Sequence, residues 1–215
     1  MAKPTLDYTL YLVTDRDLMS TPTLTQAVEQ ACRGGVTLVQ LREKHCAHDE
    51  YVRIAKEIKP ICDSHGVGLI IDDAPEVCVE ADCAGVHVGQ DDLAVDEVRK
   101  IVGPDRVIGV SVGTVDEALE AQARGADYLG IGAMTFTPTK PDARVVSHDE
   151  ARAICNAVDI PCVVIGGINE ESIPSFAGYG LAGYAIVSGI IAAPDIEAAA
   201  RRCAAAIAGN REHEG

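Results

Sequence analysis

RGGVTLVQLREK (33–44) decides the fold. Gly34-Gly35 ends a stripe of apolar residues at helical spacing (Leu24, Ala27, Val28, Ala31, Cys32). The apolar run Val36 to Leu41 follows, and then two cations, Arg42 and Lys44. A short, continuous apolar run between a glycine turn and a charged end is the pattern of a strand buried on both faces, as in parallel sheets. The same arrangement recurs in CAGVHVG (83–89), RGADYLGIG (124–132) and GLAGYAIVSG (180–189).

Working outward, the other strands read as Leu10–Val13, Gly68–Ile71, Gly85–Val88, Val107–Ser111, Asp127–Ile131, Cys162–Ile165 and Tyr184–Val187. Helical stripes alternate with them. Thr21-Pro22 reads as the first helix start, a capping residue followed by proline at the first helical position. Tyr51, Ile54, Ala55, Ile58, Ile61 and Cys62 form the next stripe, which Pro60 should kink or shorten. Shorter helices are expected over 74–81 and around Val98, Ile101 and Val102, the latter stopped by Gly103. Thr114 with Glu117 and Ser147 with Glu150 have capping-box spacing. A helix is expected over 169–177, and Ile196, Ala199, Ala200, Cys203, Ala204 and Ile207 give the last helix its stripe. Eight strand–helix units in one domain of 215 residues, with a short lead (1–8) and a frayed tail (209–215), close most naturally into an α/β (β/α)8 barrel. An open doubly wound sheet is the alternative; no Gly-x-Gly-x-x-Gly follows the first strand, so a dinucleotide fold has little support.

The chain carries 33 acidic and 18 basic residues, a formal charge of −15, which argues against nucleic-acid partners and an anionic membrane surface. The longest apolar stretch, Leu181 to Ala193, is interrupted by glycines and too short to span a bilayer. MAKPTLDYTLYLV (1–13) does not have the shape of a secretory leader. The eight cysteines are scattered without a Cys-x-x-Cys, the pattern of reduced thiols in a cytoplasmic protein. The sequence leaves a homo-oligomer open.

In such a barrel the chemistry sits at the carboxyl ends of the strands. There the sequence places Gln40, Arg42 and Lys44, then Asp72 and Asp73, then GQDD (89–92), Ser111, TPTK (137–140), Gly166-Gly167 and Ser188-Gly189. Arg42, Lys44 and Lys140 can clamp a diphosphate, arginine with a planar fork and lysine as a point charge. Asp73 and Asp92 are hard oxygen donors suited to magnesium, which takes one or two carboxylates together with substrate phosphates. Gly166-Gly167 and Ser188-Gly189 occupy the loops where barrels often hold a phosphate through backbone amides. The rim thus reads as a site for two phosphorylated small molecules. His87 reads as a packed, hydrogen-bonded strand residue, since no second histidine or cysteine stands at metal spacing beside it. Cys46, near Lys44, reads as an incidental thiol, although a neighbouring cation lowers a thiol pKa.

Six motifs in order resemble the thiamine-phosphate synthase family: YLVTD at 11–15, QLREK at 40–44, GVHVGQDD at 85–92, GVS at 109–111, TPTK at 137–140 and IGGI at 165–168. The resemblance covers nearly the whole chain. It implies a transferase that joins 4-amino-2-methylpyrimidin-5-ylmethyl diphosphate to a thiazole monophosphate or its carboxylate precursor, with magnesium, giving thiamine phosphate and diphosphate. It places Gln40, Leu41, Arg42, Glu43, Lys44, Asp72 and Ser111 on the pyrimidine diphosphate. It places Thr137, Thr139, Gly166, Gly167, Val187 and Ser188 on the thiazole phosphate, with Lys140 between the two. Arg42, Lys44, Ser111 and Lys140 carry the catalytic role in this reading, and Asp73 and Asp92 the metal. The chain departs from the family pattern at Asp72, where asparagine is usual, at Gly113 (histidine), Ala74 (arginine), Ala133 (proline) and Thr135 (an aromatic). Two other classes stay open on sequence: an isomerase resembling the thiazole tautomerases on the same fold, and a non-catalytic binder.

Overall fold

The computed structural model describes residues 3–136 and 144–212, with side chains described as far as Asn210. Eight parallel strands form a closed barrel in sequence order. They are β1 (Leu10–Val13), β2 (Leu38–Leu41), β3 (Gly68–Asp72), β4 (Gly85–Val88), β5 (Val107–Val112), β6 (Tyr128–Ile131), β7 (Cys162–Ile165) and β8 (Gly183–Ile186). The helices between and after them are α1 (Leu24–Arg33), α2 (His48–Ser64), α3 (Pro75–Glu80), α4 (Val95–Val102), α5 (Val115–Ala123), α6 (His148–Ala157), α7 (Ser188–Ile191) and α8 (Ile196–Glu212). Closure is made by β1 against β8, with Tyr11 beside Ala185 and Leu12 beside Ile186.

Strand alternation sorts the barrel into two apolar layers. Tyr11, Val13, Leu38, Ile70, Val107, Tyr128, Val163 and Ala185 pack inside it. Leu10, Leu12, Val39, Leu41, Ile71 and their alternates pack outward against Ala27, Ile58, Val98, Ile154 and the other inward faces of the helices. Both faces of each strand are therefore buried, the arrangement the unbroken apolar runs anticipate.

Several boundaries differ from the sequence reading, each for a local reason. Helix α1 starts two residues later than Thr21-Pro22, because Thr23 Oγ1 accepts the Gln26 amide and becomes the cap. Pro60 does not interrupt α2: it is exposed, as is Lys56, so the carbonyl deprived of its partner faces water. Ile101 lies on the solvent side of α4 at 36% exposure rather than on the core side. The expected helix over 169–177 is a single 3-10 turn, Ile173–Phe176, because Asn169 Oδ1 captures the amides of Glu171 and Ser172. Glu117 completes only half a capping box; its carboxylate turns to the Gly113 amide at 2.6 Å, whereas Ser147 and Glu150 form the full reciprocal pair. At the end of the chain, 209–212 are helical where the sequence suggested fraying. Asn210 is buried there and donates to the Ile173 carbonyl at 2.7 Å and to Tyr184 Oη at 3.1 Å.

Candidate active site

The ends of β1 and β2 are locked together first. Thr14, fully buried, donates its amide to the Gln40 carbonyl at 2.9 Å and accepts the Arg42 amide on Oγ1 at 3.0 Å. This aims Arg42 across the rim, where its guanidinium lies 3.5 Å from Asp15 and 3.7 Å from Asp72. From α2, the Tyr51 hydroxyl contacts the Leu41 carbonyl at 2.7 Å and the Asp72 carbonyl at 3.1 Å, bolting β2 to β3.

Asp73 follows in a left-handed conformation, φ 57°, which aspartate tolerates better than most residues. Its amide donates to the His87 carbonyl, fixing the β3 end to β4. Loss of water pushes the Asp72 carboxyl up to about 6, against the pull of Arg42 and Lys44. Asp73 is pushed up to about 8 by loss of water and by the charges of Asp72 and Asp92. The three carboxyls therefore crowd one corner of the rim and share a demand for positive charge. Asp92 is oriented by the Gly89 amide at 2.7 Å, and Gln90 ties that loop to β5 through the Ser111 carbonyl at 2.7 Å.

Across the rim, Gly166 and Gly167 have φ of 98° and 74°. A Cβ on Gly166 would stand 2.7 Å from Ala133 Cβ, and one on Gly167 would stand 1.9 Å from Thr135 Oγ1. The loops after β6 and β7 thus approach closely at a place only glycine permits. Val187 leaves β8 as the cap of α7, and Ser188 begins that short helix, whose first amides lack helical acceptors.

These groups share one cavity of about 290 Å³. Gln40, Arg42, Lys44, Asp72, Asp73, Asp92 and Ser111 line one side, and Gly166, Gly167, Val187 and Ser188 the other. Two expected contacts stand elsewhere. The Leu41 side chain points outward into the helix-facing core. Glu43 turns to Arg16 at 2.6 Å and lines a separate groove with Asp15, Arg16 and His45. Burial pushes the Glu43 carboxyl up. Among the described residues its Oε1 is the buried side-chain oxygen without a partner. Thr137, Thr139 and Lys140 lie outside the described residues. Cys46 is held protonated, its pKa raised by loss of water and by Glu50 and Glu43, the reverse of a cation-activated thiol. All eight cysteines are free.

Sequence reasoning missed the floor of the cavity. His87 lines it, and so do Tyr11, Gly130 and Ala185. Below the rim, Gln40 Nε2 donates to Tyr11 Oη at 2.9 Å, and Tyr11 Oη meets Tyr128 Oη at 2.8 Å. Tyr128 Oη meets His87 Nδ1 at 2.9 Å, and His87 Nε2 meets Ser111 Oγ at 2.9 Å. Strand parity was the available signal: Gln40 and Ser111 fall two and four residues from the inward-facing Leu38 and Val107 of their own strands.

Residues 10–190 match the family described as thiamine monophosphate synthase. The chain is 54% identical over 199 residues to the thiamine-phosphate synthase of Clostridium beijerinckii, covering 93% of this chain and 95% of that one. It is 50% identical over 199 residues to the thiamine-phosphate synthase of Clostridium botulinum, covering 93% of each. Among solved structures, a thiamine phosphate pyrophosphorylase from Pyrococcus furiosus superposes with a TM-score of 0.87 at 32% identity, over 95% of this chain and 97% of that one. None of these three supports the isomerase alternative. The chain belongs to the thiamine monophosphate synthase family.

Proposed function

We propose that this cavity joins an aminopyrimidine methyl diphosphate to a thiazole monophosphate, yielding thiamine phosphate and diphosphate. One observation carries the reading: Arg42 and Lys44 face the Asp72–Asp73–Asp92 corner on one side of a single cavity, and the glycine loops line the other. The bond that breaks joins the methylene carbon to a diphosphate oxygen, and its electron pair leaves with the diphosphate. The bond that forms joins that carbon to the thiazole nitrogen through the nitrogen lone pair. The amino group of the pyrimidine delocalises the positive charge in between. No proton transfer is needed for this balance, so the protein acts by electrostatics rather than through a general base. Arg42 and Lys44 oppose the charge growing on the leaving group, while Asp15 and Asp72 hold Arg42 in place. The amides at Gly166, Gly167 and Ser188 suit the phosphate of the thiazole.

Asp73 and Asp92 fit a magnesium ion: both stand on the rim, and the raised proton affinity of Asp73 marks a corner short of positive charge. Among the described residues no group of three or more His, Cys, Asp or Glu side chains is placed to hold a metal ion. Magnesium does not need such a group, because waters and phosphate oxygens complete its shell. When bound, it supplies further neutralisation of the diphosphate. The free thiols suit a cytoplasmic setting, and no helix among the described residues is long and apolar enough to cross a membrane.

The test is release of inorganic diphosphate with formation of thiamine phosphate. It should require magnesium and both substrates. Conversion of a thiazole substrate alone, or binding without turnover, would overturn the reading.

A further inference from the structure

We propose that Tyr128 is a positioning residue: through a polarised hydrogen-bond relay it holds His87 as the Nε2–H tautomer, which makes the Ser111 hydroxyl a donor toward the pyrimidine. The inference rests on the aminopyrimidine reading above and deepens it. The relay runs Gln40, Tyr11, Tyr128, His87, Ser111, taking one residue each from β2, β1, β6, β4 and β5, with every link between 2.8 and 2.9 Å.

Its direction follows from what each group can do. Gln40 Nε2 donates to Tyr11 Oη, and the relay assigns the single Tyr11 proton to the bond with Tyr128. Tyr128 Oη, having accepted, donates to His87 Nδ1. That nitrogen is then the bare one, and Nε2–H donates to Ser111 Oγ. Serine has accepted from below, so its own proton points into the cavity. At the other end, Gln40 lines the cavity; one of its amide protons goes to Tyr11, and the relay assigns its carbonyl oxygen to the ligand.

The relay is a built feature of the barrel. A Cβ on Gly109 would stand 2.1 Å from Tyr128 Cζ and 2.5 Å from His87 Nδ1, and one on Gly130 would stand 3.1 Å from His87 Cε1. Two glycines on adjacent strands therefore leave the volume that the two rings fill. Tyr11 and Tyr128 are 1% and 0% exposed, and burial holds both phenols protonated, each with one proton to donate.

The consequence is specificity. The cavity offers a carbonyl acceptor at Gln40 and a hydroxyl donor at Ser111. A ring bearing an exocyclic amine beside an unprotonated ring nitrogen presents the matching donor and acceptor. A ring with a carbonyl beside a ring N–H presents the opposite pair. Binding the latter would leave buried polar groups facing like groups, a strong basis for discrimination.

Two measurements test this. In the ligand-free wild-type protein, two-bond proton–nitrogen correlations of the His87 ring, assigned by their loss in His87→Asn, should show the proton on Nε2. A proton on Nδ1 overturns the proposal, whether or not the reaction assignment holds, and this readout needs no variant that must fold well around a changed core. The second is a double-mutant cycle. Tyr128→Phe should raise KM for the pyrimidine diphosphate roughly tenfold, in the range of one lost hydrogen bond to a polar or charged group, with KM for the thiazole phosphate unchanged. In a Ser111→Ala background Tyr128→Phe should add less than about twofold. Fully additive effects would mean that Tyr128 acts by packing and not through Ser111, and would overturn the relay.

Discussion

Arg42 Nε faces Asp72 Oδ2 at 3.7 Å, with both side chains largely buried at the end of adjacent strands. Asp72 stands where the family pattern has asparagine, and the pairing gives the carboxylate a role: it holds Arg42 from one side as Asp15 does from the other. Asp72→Asn keeps the shape and a hydrogen-bonding oxygen while removing a charge that competes with diphosphate. Activity should stay within about tenfold of wild type, and the magnesium dependence should weaken by no more than the 10–100-fold typical of groups behind the metal ligands. A magnesium titration of turnover checks this; an inactive variant at saturating magnesium would give Asp72 a direct part in the chemistry.

Removing the cation itself is a different matter. Arg42→Ala should lower turnover roughly a hundredfold, since one preorganised charge at a developing anion is worth on the order of 3 kcal/mol. Arg42→Lys should recover only part of it, because a point charge cannot bridge Asp15, Asp72 and a diphosphate as a planar fork does. Steady-state kinetics with both substrates saturating separates the variants.

Asp73 carries the pH prediction. Its carboxyl titrates at about 8 in the folded chain against 3.8 as the ordinary value, so the folded state holds the proton more tightly than the unfolded state. The stability this proton provides is complete below about pH 4 and is lost as pH rises through about 8. Water at the rim screens the effect, so the change is modest. In chelator, Asp73→Asn should melt higher than wild type at pH 8.5 and within error of it at pH 4.5, by thermal denaturation monitored by circular dichroism. Magnesium at pH 8.5 should narrow the gap.

Gly167→Ala places a Cβ in a left-handed position against Thr135 Oγ1. The backbone conformation alone costs roughly 1–2 kcal/mol. The variant should lose about that in stability and bind the thiazole phosphate more weakly, with KM for the pyrimidine diphosphate little changed. Thr135→Ala in the same chain should recover part of the loss by clearing the clash. Denaturant titration and KM values for each substrate read both effects; equal weakening of both substrates would mean that the cavity is not divided as described.

What was legible in the sequence and what was not follow from the same physics. Polar residues at strand ends stand out against apolar runs, so Arg42, Lys44, Asp73 and Asp92 could be placed on the rim from their spacing alone. A strand buried on both faces carries no such contrast. Nothing in LVQL distinguishes Leu41, which points to the helices, from Gln40, which points into the barrel, except counting in twos from a neighbour of known facing. That His87 is packed and hydrogen-bonded could be read, but its partners and Tyr128 were hidden for that reason, standing 24 to 117 residues apart in the chain. The 3-10 turn at Ile173–Phe176 was misread because a single side-chain oxygen at Asn169 outcompetes helical hydrogen bonding, a local contest that apolar periodicity does not register.

The Asn210 contacts bear on when this barrel can form at all. Its amide reaches Tyr184 on β8 and the Ile173 carbonyl, and β8 in turn completes the ring against β1. During synthesis the first seven strands can pair as they emerge, but the seam between Leu12 and Ile186 spans most of the polypeptide and its clasp lies in the final turn of α8. The nascent chain must therefore carry an open sheet with two unpaired edges until β8 and α8 have been made. A polypeptide cut after Gly209 would retain every strand and lose the fastening, prolonging the interval in which those edges can pair with another chain.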